Sequence, residues 1–533
     1  MVPTMKLPSS QEMRYFDEKT ISGGVAALSL MERAGEEMFK QIAKHFLHNL
    51  DTENPILVLA GPGNNGGDGL VVARHLAQNG FVVKVVIAGA SKYSEEFLTN
   101  FEALKKVTEK LDAPLNEVCF VLGESKISPN EAQEITNSDL TRFLSEAYLI
   151  VDALLGTGSK GEPRDIIKVI IDLVKPYTFK KSIVSLDIPS GINADTGETA
   201  ESSINAELTI TVQAIKRGLL QHPAREHSNA IEVVDIGIDT SGNSEFTLLT
   251  PNHLPRLNER TPNINKGKLG RVLVVGGSAS MPGAPVLSSE AALRVGSGLV
   301  FLASAGKIGA VSVPAEIMQV DVAVDSGYFA KDSLKLVSSY LEQKPVVVLG
   351  PGLGQSPETI TFVRSFIKEL IKHQIKAVVD ADALNIIASS DIDLSNNEFV
   401  FTPHPGEAAR LLDMSIEEVE RDRYSSVKAL SEKLSGVVVL KGAATVTFNG
   451  TQGFVNSTGN PYLATPGSGD VLSGIIAGFM AQKLSPTDAA SLGVYIHGLA
   501  GDRAVASNRG PITASSLFEF LPKTVYEFTG KNQ

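Results

Sequence analysis

The chain predicts an α/β protein of two domains, on three observations. Short runs of Val, Ile and Leu alternate with longer runs that carry apolar residues at three- and four-residue spacing. Most of the short runs end in a loop of Gly, Asp, Ser or Pro. The pattern lapses once, near residue 240, and then restarts. Alternation of this kind implies parallel sheets covered by helices, and 533 residues exceed one ordinary core.

The elements follow in order. Ser10 to about Phe46 reads as a helical stretch whose Met13, Phe16, Ile21, Leu28, Met31, Met38 and Ile42 are expected to pack on the sheet as core, with no cofactor role. Strands are expected at Ile56 to Ala60, Val82 to Ala88, Leu149 to Asp152, Ser182 to Asp187, Leu208 to Val212 and Ile231 to Ile236. Between about Thr240 and Lys268 the chain is rich in Asn, Pro and Ser and loses its period, so the domains are placed at 1–240 and 241–533. The second set of strands is expected at Arg271 to Val275, Leu299 to Ala303, Val346 to Leu349, Ala377 to Asp380, Phe399 to Thr402 and Gly436 to Leu440. Ligands of open α/β sheets bind outside the carboxyl ends of the strands, so the loops there are the places to look.

Composition narrows the function classes. With 43% hydrophobic and 20% charged residues the chain reads as soluble and globular. A formal charge of −12 argues against general nucleic-acid binding. The opening MVPTMKLPSSQEMRYFDEKT lacks the charged-then-apolar order of a signal peptide, and the single Cys119 permits no internal disulfide, so a cytoplasmic location is expected.

Gly61, Gly63 and Gly66 follow the first strand at G-x-G-x-x-G spacing, the dinucleotide fingerprint. Two features oppose a dehydrogenase. The second strand ends in Ala88, Gly89 and Ala90 without the acid that binds a ribose, and the loop carries Asn64, Asn65 and Asp68, whose carboxylate would repel a phosphate at close range. Two further strand ends add Asp152, followed by Gly156, Thr157 and Gly158, and Asp187, followed by Pro189, Ser190 and Gly191. Oxygens of Asn65, Asp152 and Ser190 are of the hard type that holds an alkali or alkaline-earth cation. Asp187 is then available as acid or base.

In the second half, Gly467, Ser468 and Gly469 lead into Asp470 and a helix-spaced apolar stripe. Glycine amides at a helix N-terminus form an anion hole, and a carboxylate beside it can take the proton of an attacking hydroxyl, the arrangement phosphoryl transfer needs. Asp470 as a simple helix cap is the plainer reading. The loops GPGLG, DADALN, TPHPGE and KGAAT add Asp380, Asp382, Asn385, His404, Glu407 and Lys441.

Taken together, MERAG (Met31 to Gly35), GPGNNGGDG (Gly61 to Gly69), VDALLGTG (Val151 to Gly158) and DIPSG (Asp187 to Gly191) resemble the NAD(P)H-hydrate epimerase family, with its Rossmann-like three-layer α/β sandwich. The resemblance implies that Asn64, Asn65, Gly66, Gly67 and Asp68, then Gly156, Thr157, Gly158, Ser159, Lys160, Gly161 and Glu162, with Asp187, bind the hydrated nucleotide NAD(P)HX. It also implies potassium at Asn65, Asp152 and Ser190. KGKLGRVLVVGGS, GAPVLSSEAALRVGSGLV, GPGLG, DADALN, TPHPGE, KGAAT and PGSGD resemble the ADP- or ATP-dependent NAD(P)H-hydrate dehydratases, which have a ribokinase-like fold. Carried across, Ala284, Gly354 (favoured over Gly352), His404 and Asp470 contact NAD(P)HX, and Lys441, Gly442, Ala443, Ala444, Thr445 and Gly469 bind the adenine nucleotide. One departure is Asn265, where many relatives have His.

The implied activity is epimerisation of R and S NAD(P)HX, with Asp187 as the catalytic group, and dehydration of the S epimer with Asp470 as base. The fused organisation resembles that of bacterial enzymes using ADP, which implies ADP as donor, releasing AMP and phosphate, with ATP as the alternative donor and magnesium accompanying the nucleotide; Glu407 and Asp382 are its candidate ligands. Expected partners are the small molecules NAD(P)HX and ADP, with no nucleic acid and no membrane, and a homo-oligomer is expected. A sugar or vitamin kinase fused to a ligand sensor is the rival enzyme reading, and a binding module the non-enzymatic one for the first half.

Overall fold

The computed structural model describes residues 5–48, 54–111, 118–128, 131–240, 242, 244–306, 312–322 and 327–530. Residues 241 and 243 of the expected linker lie outside the described residues. Two compact units emerge, Lys6–Glu245 and Phe246–Gln533, the latter joined by Met5.

The first unit is a parallel sheet of strands β1 (Ile56–Ala60), β2 (Val83–Ala88), β3 (Cys119–Leu122), β4 (Gln133–Ile135), β5 (Leu149–Ala153), β6 (Ser182–Leu186), β7 (Leu208–Val212) and β8 (Ala230–Val234), in the order β4-β3-β2-β1-β5-β6-β7-β8. Side chains of β1 alternate between two cores. Ile56, Val58 and Ala60 face helices Ala27–Ile42, Asn64–Gln78 and Glu95–Lys110, whereas Leu57 and Leu59 face Asn137–Glu146 and Asp165–Val174. Coverage on both faces explains why the central strands read as apolar runs, unbroken in β1 and interrupted only by Asp152 in β5, and makes the unit three-layered. Sequence order reverses at β1, which lies between β2 and β5. Such a switch point opens a crevice at the strand ends.

The N-terminal stretch is two helices, not one. Ser10–Ser22 ends at Gly23 and Ala27–Ile42 follows, continuing into a π-helical turn over Ala43–Leu47. Met13, Phe16, Met31, Met38 and Ile42 are buried as expected, but Ile21 and Leu28 are exposed, because the break at Gly23 and Gly24 turns the chain there. Neither β3 nor β4 is among the expected strands: β4 is three residues, QEI, with one apolar side chain, whereas β3 is the apolar run CFVL that the expectation passed over.

The second unit holds β9 (Phe246–Leu248), β10 (Arg271–Gly276), β11 (Leu299–Ser304), β12 (Met318–Val320), β13 (Val346–Leu349), β14 (Ala377–Val379), β15 (Phe399–Phe401), β16 (Val437–Leu440), β17 (Val446–Phe448) and β18 (Gly453–Val455), in the order β12-β11-β10-β13-β14-β15-β16-β17-β18-β9. From β12 to β16 the strands are parallel; β17 is antiparallel to both its neighbours. β9 begins six residues after the expected boundary at 240, and Phe246 stacks its ring on Phe448 and meets Tyr424 edge-on, which draws it into this unit. Helix Ser468–Ala481 lies in the middle of the core, where Gly474 and Gly478 let the helix Ala284–Arg294 approach: a Cβ at Gly474 would stand 2.1 Å from the carbonyl oxygen of Ser288. Among the described residues, no helix is long and apolar enough to cross a membrane.

Candidate active sites

The switch point of the first sheet opens a cavity of about 660 Å³. Its floor is the loop after β1 (Pro62 to Asn65, with Asp68) and the loop after β5 (Leu154 to Ser159); Asp187 after β6 and Lys216 after β7 complete it. The glycines of the β1 loop serve close packing. A Cβ at Gly66 would lie 1.8 Å from the Gly61 carbonyl oxygen, and one at Gly61 would lie 1.8 Å from that of Leu154. Side-chain oxygens, not glycine amides alone, therefore characterise this turn.

Asp187 holds a left-handed backbone, with φ of 65°, an uncommon state for a non-glycine residue that strand ends at functional sites retain. Its Oδ1 accepts from the Lys216 ammonium at 2.5 Å, from the Val212 amide at 3.1 Å and from the Thr211 hydroxyl at 3.3 Å. Lys216 is 1% exposed and also donates to Thr211 Oγ1 (3.0 Å) and the Val212 carbonyl (2.8 Å). Burial, followed by the charge of Asp187, holds the Asp68 carboxyl well above its ordinary range.

Asp152 is buried and accepts four hydrogen bonds: from the Ser190 amide (2.9 Å) and hydroxyl (2.6 Å), the Ser185 hydroxyl (2.8 Å) and the Leu154 amide (3.2 Å). Burial outweighs these bonds and moves its carboxyl upward. Ser190 Oγ accepts from the Leu155 amide, and Asn65 Nδ2 donates to the Leu155 carbonyl at 2.9 Å, so the three residues meet around one loop. The Asn65 Oδ1 atom is buried there with no hydrogen-bond partner. An orphaned amide oxygen beside a carboxylate and a hydroxyl is a donor set that suits a hard monovalent cation. Among the described residues, no group of three or more His, Cys, Asp and Glu side chains is gathered to hold a metal.

Not every residue named from sequence reaches the cavity. Asn64, Asn65, Asp68, Gly156, Thr157, Gly158, Ser159 and Asp187 line it. Gly66 and Gly67 lie buried behind it. Gly161 is exposed, Lys160 pairs outward with Asp195 (3.2 Å), and Glu162 accepts from the amides of Glu201 and Ser202, holding the loop rather than facing the cavity. Asp17 and Lys216 were missed. Lys216 stands just past the carboxyl end of β7, the position the strand-end rule marks; Asp17 sits on an amphipathic helix and had no local signal. Met13, Ile21 and Met31, read as core without a cofactor role, form the apolar wall together with Leu30.

In the second unit, helix Ser468–Ala481 begins after Gly467, which has φ of 88°. Asp470 lies in its first turn, its carbonyl accepting from the hydroxyls of Ser288 (2.8 Å) and Ser473 (2.9 Å). Lys441 Nζ donates to Asp380 Oδ1 at 2.7 Å and lies 3.9 Å from Glu407 Oε2; a Cβ at Gly469 would stand 3.3 Å from that ammonium. Burial, then the charge of Asp380, pushes the Asp470 carboxyl up to about 7, and burial likewise raises Glu407. Burial acts to lower the Lys441 ammonium, but Asp380 and Glu407 outweigh it and its pKa rises.

The remaining predicted residues fall around this cluster. His404 caps helix Pro405–Leu412, accepting from the Gly406 amide, while Glu407 reaches back to the His404 amide (2.8 Å). Gly354 donates its amide to Asp382 at 2.8 Å, and Ala284 opens its helix beside Gly352, where a Cβ would lie 3.2 Å from the Ala284 Cβ. Gly442, Ala443, Ala444 and Thr445 follow Lys441 in an exposed to half-buried loop. Asn265 caps the short helix Lys266–Leu269, accepting from the Lys268 amide, which gives the departing side chain a structural role. Two supporting residues escaped notice. Arg423 is buried and donates to the Leu440 and Lys441 carbonyls, and His497 meets the Ser468 hydroxyl and carbonyl at 3.1 Å.

Comparison with known proteins places both halves. Residues 272–523 match the family described as NAD(P)H-hydrate dehydratase, and residues 27–218 that of the YjeF-related protein N-terminus. The bifunctional NAD(P)H-hydrate repair enzyme Nnr of Moorella thermoacetica is 38% identical over 97% of this chain and 96% of its own length. Its namesakes in Coxiella burnetii and Escherichia coli K12 are each 36% identical, over 97% and 96% of this chain and 98% and 92% of theirs. Among solved structures, a ribokinase-like superfamily protein of Enterococcus faecalis V583 is similar to 54% of this chain and 98% of its own at 27% identity, with a TM-score of 0.48.

Proposed function

The chain belongs to the bifunctional NAD(P)H-hydrate repair enzymes, and from that premise we propose which residues carry each reaction, which nucleotide donates the phosphoryl group and which cations take part. The observation that carries the reading is the convergence, in each unit, of a carboxylate, a lysine paired with an aspartate and glycine-bearing loops at the ends of the central strands.

In the epimerase, Asn64, Asn65, Asp68 and Gly156 to Ser159 hold NAD(P)HX, with the nicotinamide-derived ring against the wall of Met13, Leu30 and Met31. Carbon 6 of that ring bears a hydroxyl and the ring nitrogen, whose lone pair assists reversible loss of the hydroxyl. Asp187, fixed by Lys216, Thr211 and Val212, moves protons at that carbon. Potassium fits Asn65, Asp152 and Ser190, where it would supply positive charge that sets the loops after β1, β5 and β6.

In the dehydratase, Ala284, Gly354, His404 and Asp470 address the S epimer, and Lys441 to Thr445 with Gly469 address ADP, with ATP as the second donor. Asp470 takes the proton of the 6-hydroxyl as its oxygen attacks the terminal phosphorus of the donor, and the amides at the helix start stabilise the phosphoryl oxygens. ADP then leaves as AMP. Phosphate departs from carbon 6 with help from the ring nitrogen, carbon 5 loses a proton, and the dihydropyridine returns. A ribokinase-like unit thus performs a dehydration by making hydroxide a good leaving group. Magnesium neutralises the nucleotide's phosphates when bound, and Asp382 and Glu407 offer the oxygen ligands it takes.

The test is incubation of the whole chain with mixed-epimer NADHX and either ADP or ATP, following absorbance and the epimer that remains. Recovery of NADH from both epimers, with AMP released when ADP is supplied, is the expected result. A stable phosphorylated product would favour the kinase reading instead.

A further inference from the structure

The epimerase cavity holds more carboxyl groups than its cation can pair. Asp17, Asp68 and Asp187 all line it, against the single ammonium of Lys216; Glu96 stands at its edge and Glu18 follows Asp17 on the helix. An ammonium has three hydrogens to donate, and those of Lys216 go to Asp187, Thr211 and the Val212 carbonyl. Asp17 therefore has the lysine's field but none of its hydrogen bonds. Among the described residues no side chain or amide hydrogen-bonds to its carboxyl.

Helix Ser10–Ser22 delivers Asp17 to the cavity between Met13 and Ile21, one turn away on either side, so the carboxyl is flanked by apolar groups. The helix is fastened for this purpose. Ser9 and Glu12 close a capping box, and the Ser10 amide and hydroxyl donate to Asp195 at 2.6 and 2.7 Å. This segment also precedes the residues 27–218 that match the family description.

Inversion at carbon 6 needs two proton-handling groups, one to protonate the departing hydroxyl and one to deprotonate the incoming water. Asp187 is the carboxylate of an ion pair. We propose that Asp17 is the second proton-transfer residue of the epimerase, acting with Asp187. This rests on the epimerase reading of the cavity. Going from R to S, Asp17 gives its proton to the 6-hydroxyl oxygen, the carbon–oxygen bond breaks with its electron pair leaving in water, and the nitrogen lone pair forms the carbon–nitrogen double bond. A water then adds to the other face, the double-bond pair returns to nitrogen, and the released proton goes to Asp187. The pair ends set for the reverse direction, Asp17 ionised and Asp187 protonated. Burial raises the Asp17 carboxyl to about 6, against lowering by Lys216 and with further raising by Asp187, so both of its states are accessible near neutrality. Burial, followed by the charge of Asp187, raises the Asp68 carboxyl as well, and Asp68 is assigned to binding.

The experiment measures R-to-S interconversion of NADHX by proton NMR with the full chain and no nucleotide donor. Asp17→Asn is expected to lower kcat on the order of 100-fold with KM little changed. Wild-type kcat/KM for the R epimer is expected to decline as pH rises through about 6, a limb that Asp17→Asn removes. Asp17→Glu is expected to restore part of the rate, and an unchanged KM for the R epimer together with an unchanged melting transition of the same preparations reports that the first unit is folded. Asp17→Asn at the wild-type rate, or Asp17→Asn and Asp17→Glu equally impaired through KM alone, would overturn the proposal. Failure of the wild type to epimerise would instead strike the epimerase reading itself.

Discussion

In the proposed mechanism two carboxylates carry the chemistry, and each has a lysine beside it: Lys216 donates to Asp187, and the charge of Lys441 acts to lower the Asp470 carboxyl against burial. Asp470 must be ionised to take a proton, and burial with Asp380 raises it to about 7, so dehydratase kcat/KM is expected to rise with pH and level off above that value. Asp470→Asn is expected to abolish phosphate release from S-NADHX and ADP at every pH. Loss of Lys216 is expected to cost structure as well as activity, because Asp187 would be left without its cation. Breaking such a buried pair costs about 3 to 5 kcal/mol, so Lys216→Met is expected to lower the melting temperature of the first unit as well as the epimerisation rate. Asp187 and Asp470 were both legible in sequence as carboxylates at strand or helix ends among glycines. Lys216 and Asp17 were not, since their partners lie 29 and 170 residues away and only the fold brings them together.

At the scale of elements, the glycine turn after β1 is a packing device first. Gly66→Ala would drive a Cβ against the Gly61 carbonyl, backbone that has no rotamer to yield, so the turn and helix Asn64–Gln78 must shift. Epimerisation is expected to fall in this variant while dehydration persists, as measured in the two separate assays. In the second unit, His497 on helix Pro486–Asn508 stands behind the start of Ser468–Ala481 as a neutral ring, its pKa lowered to about 4 by burial. The unfolded chain takes up that proton near the ordinary value of about 6.5. Stability of this unit is therefore full above that value and declines as pH falls toward about 4, and a His497→Gln melting curve is expected to show a shallower acid decline. The central strands were readable because both faces are covered and most of their residues are apolar. The edge strands β4, β9 and β12, and β18 beside β9, were not, being three residues long.

The whole molecule couples two chemistries that need one another: the dehydratase consumes one epimer and the epimerase supplies it from the other. The division into units was visible as a lapse of period near residue 240, and its displacement to 245 came from Phe246, whose aromatic partners Tyr424 and Phe448 are remote in sequence. Cation dependence is expected to separate the halves. Replacing potassium by lithium is expected to slow epimerisation, through the oxygens of Asn65, Asp152 and Ser190, and to leave dehydration of purified S epimer unchanged in initial-rate assays. The most direct test of the account is a single time course of mixed-epimer NADHX with ADP and magnesium, wild type beside Asp187→Asn. The account predicts complete recovery of NADH absorbance for the wild type, and fast recovery of only the S fraction for the variant; equal recovery by both proteins, or a wild type that leaves the R epimer untouched, would contradict it.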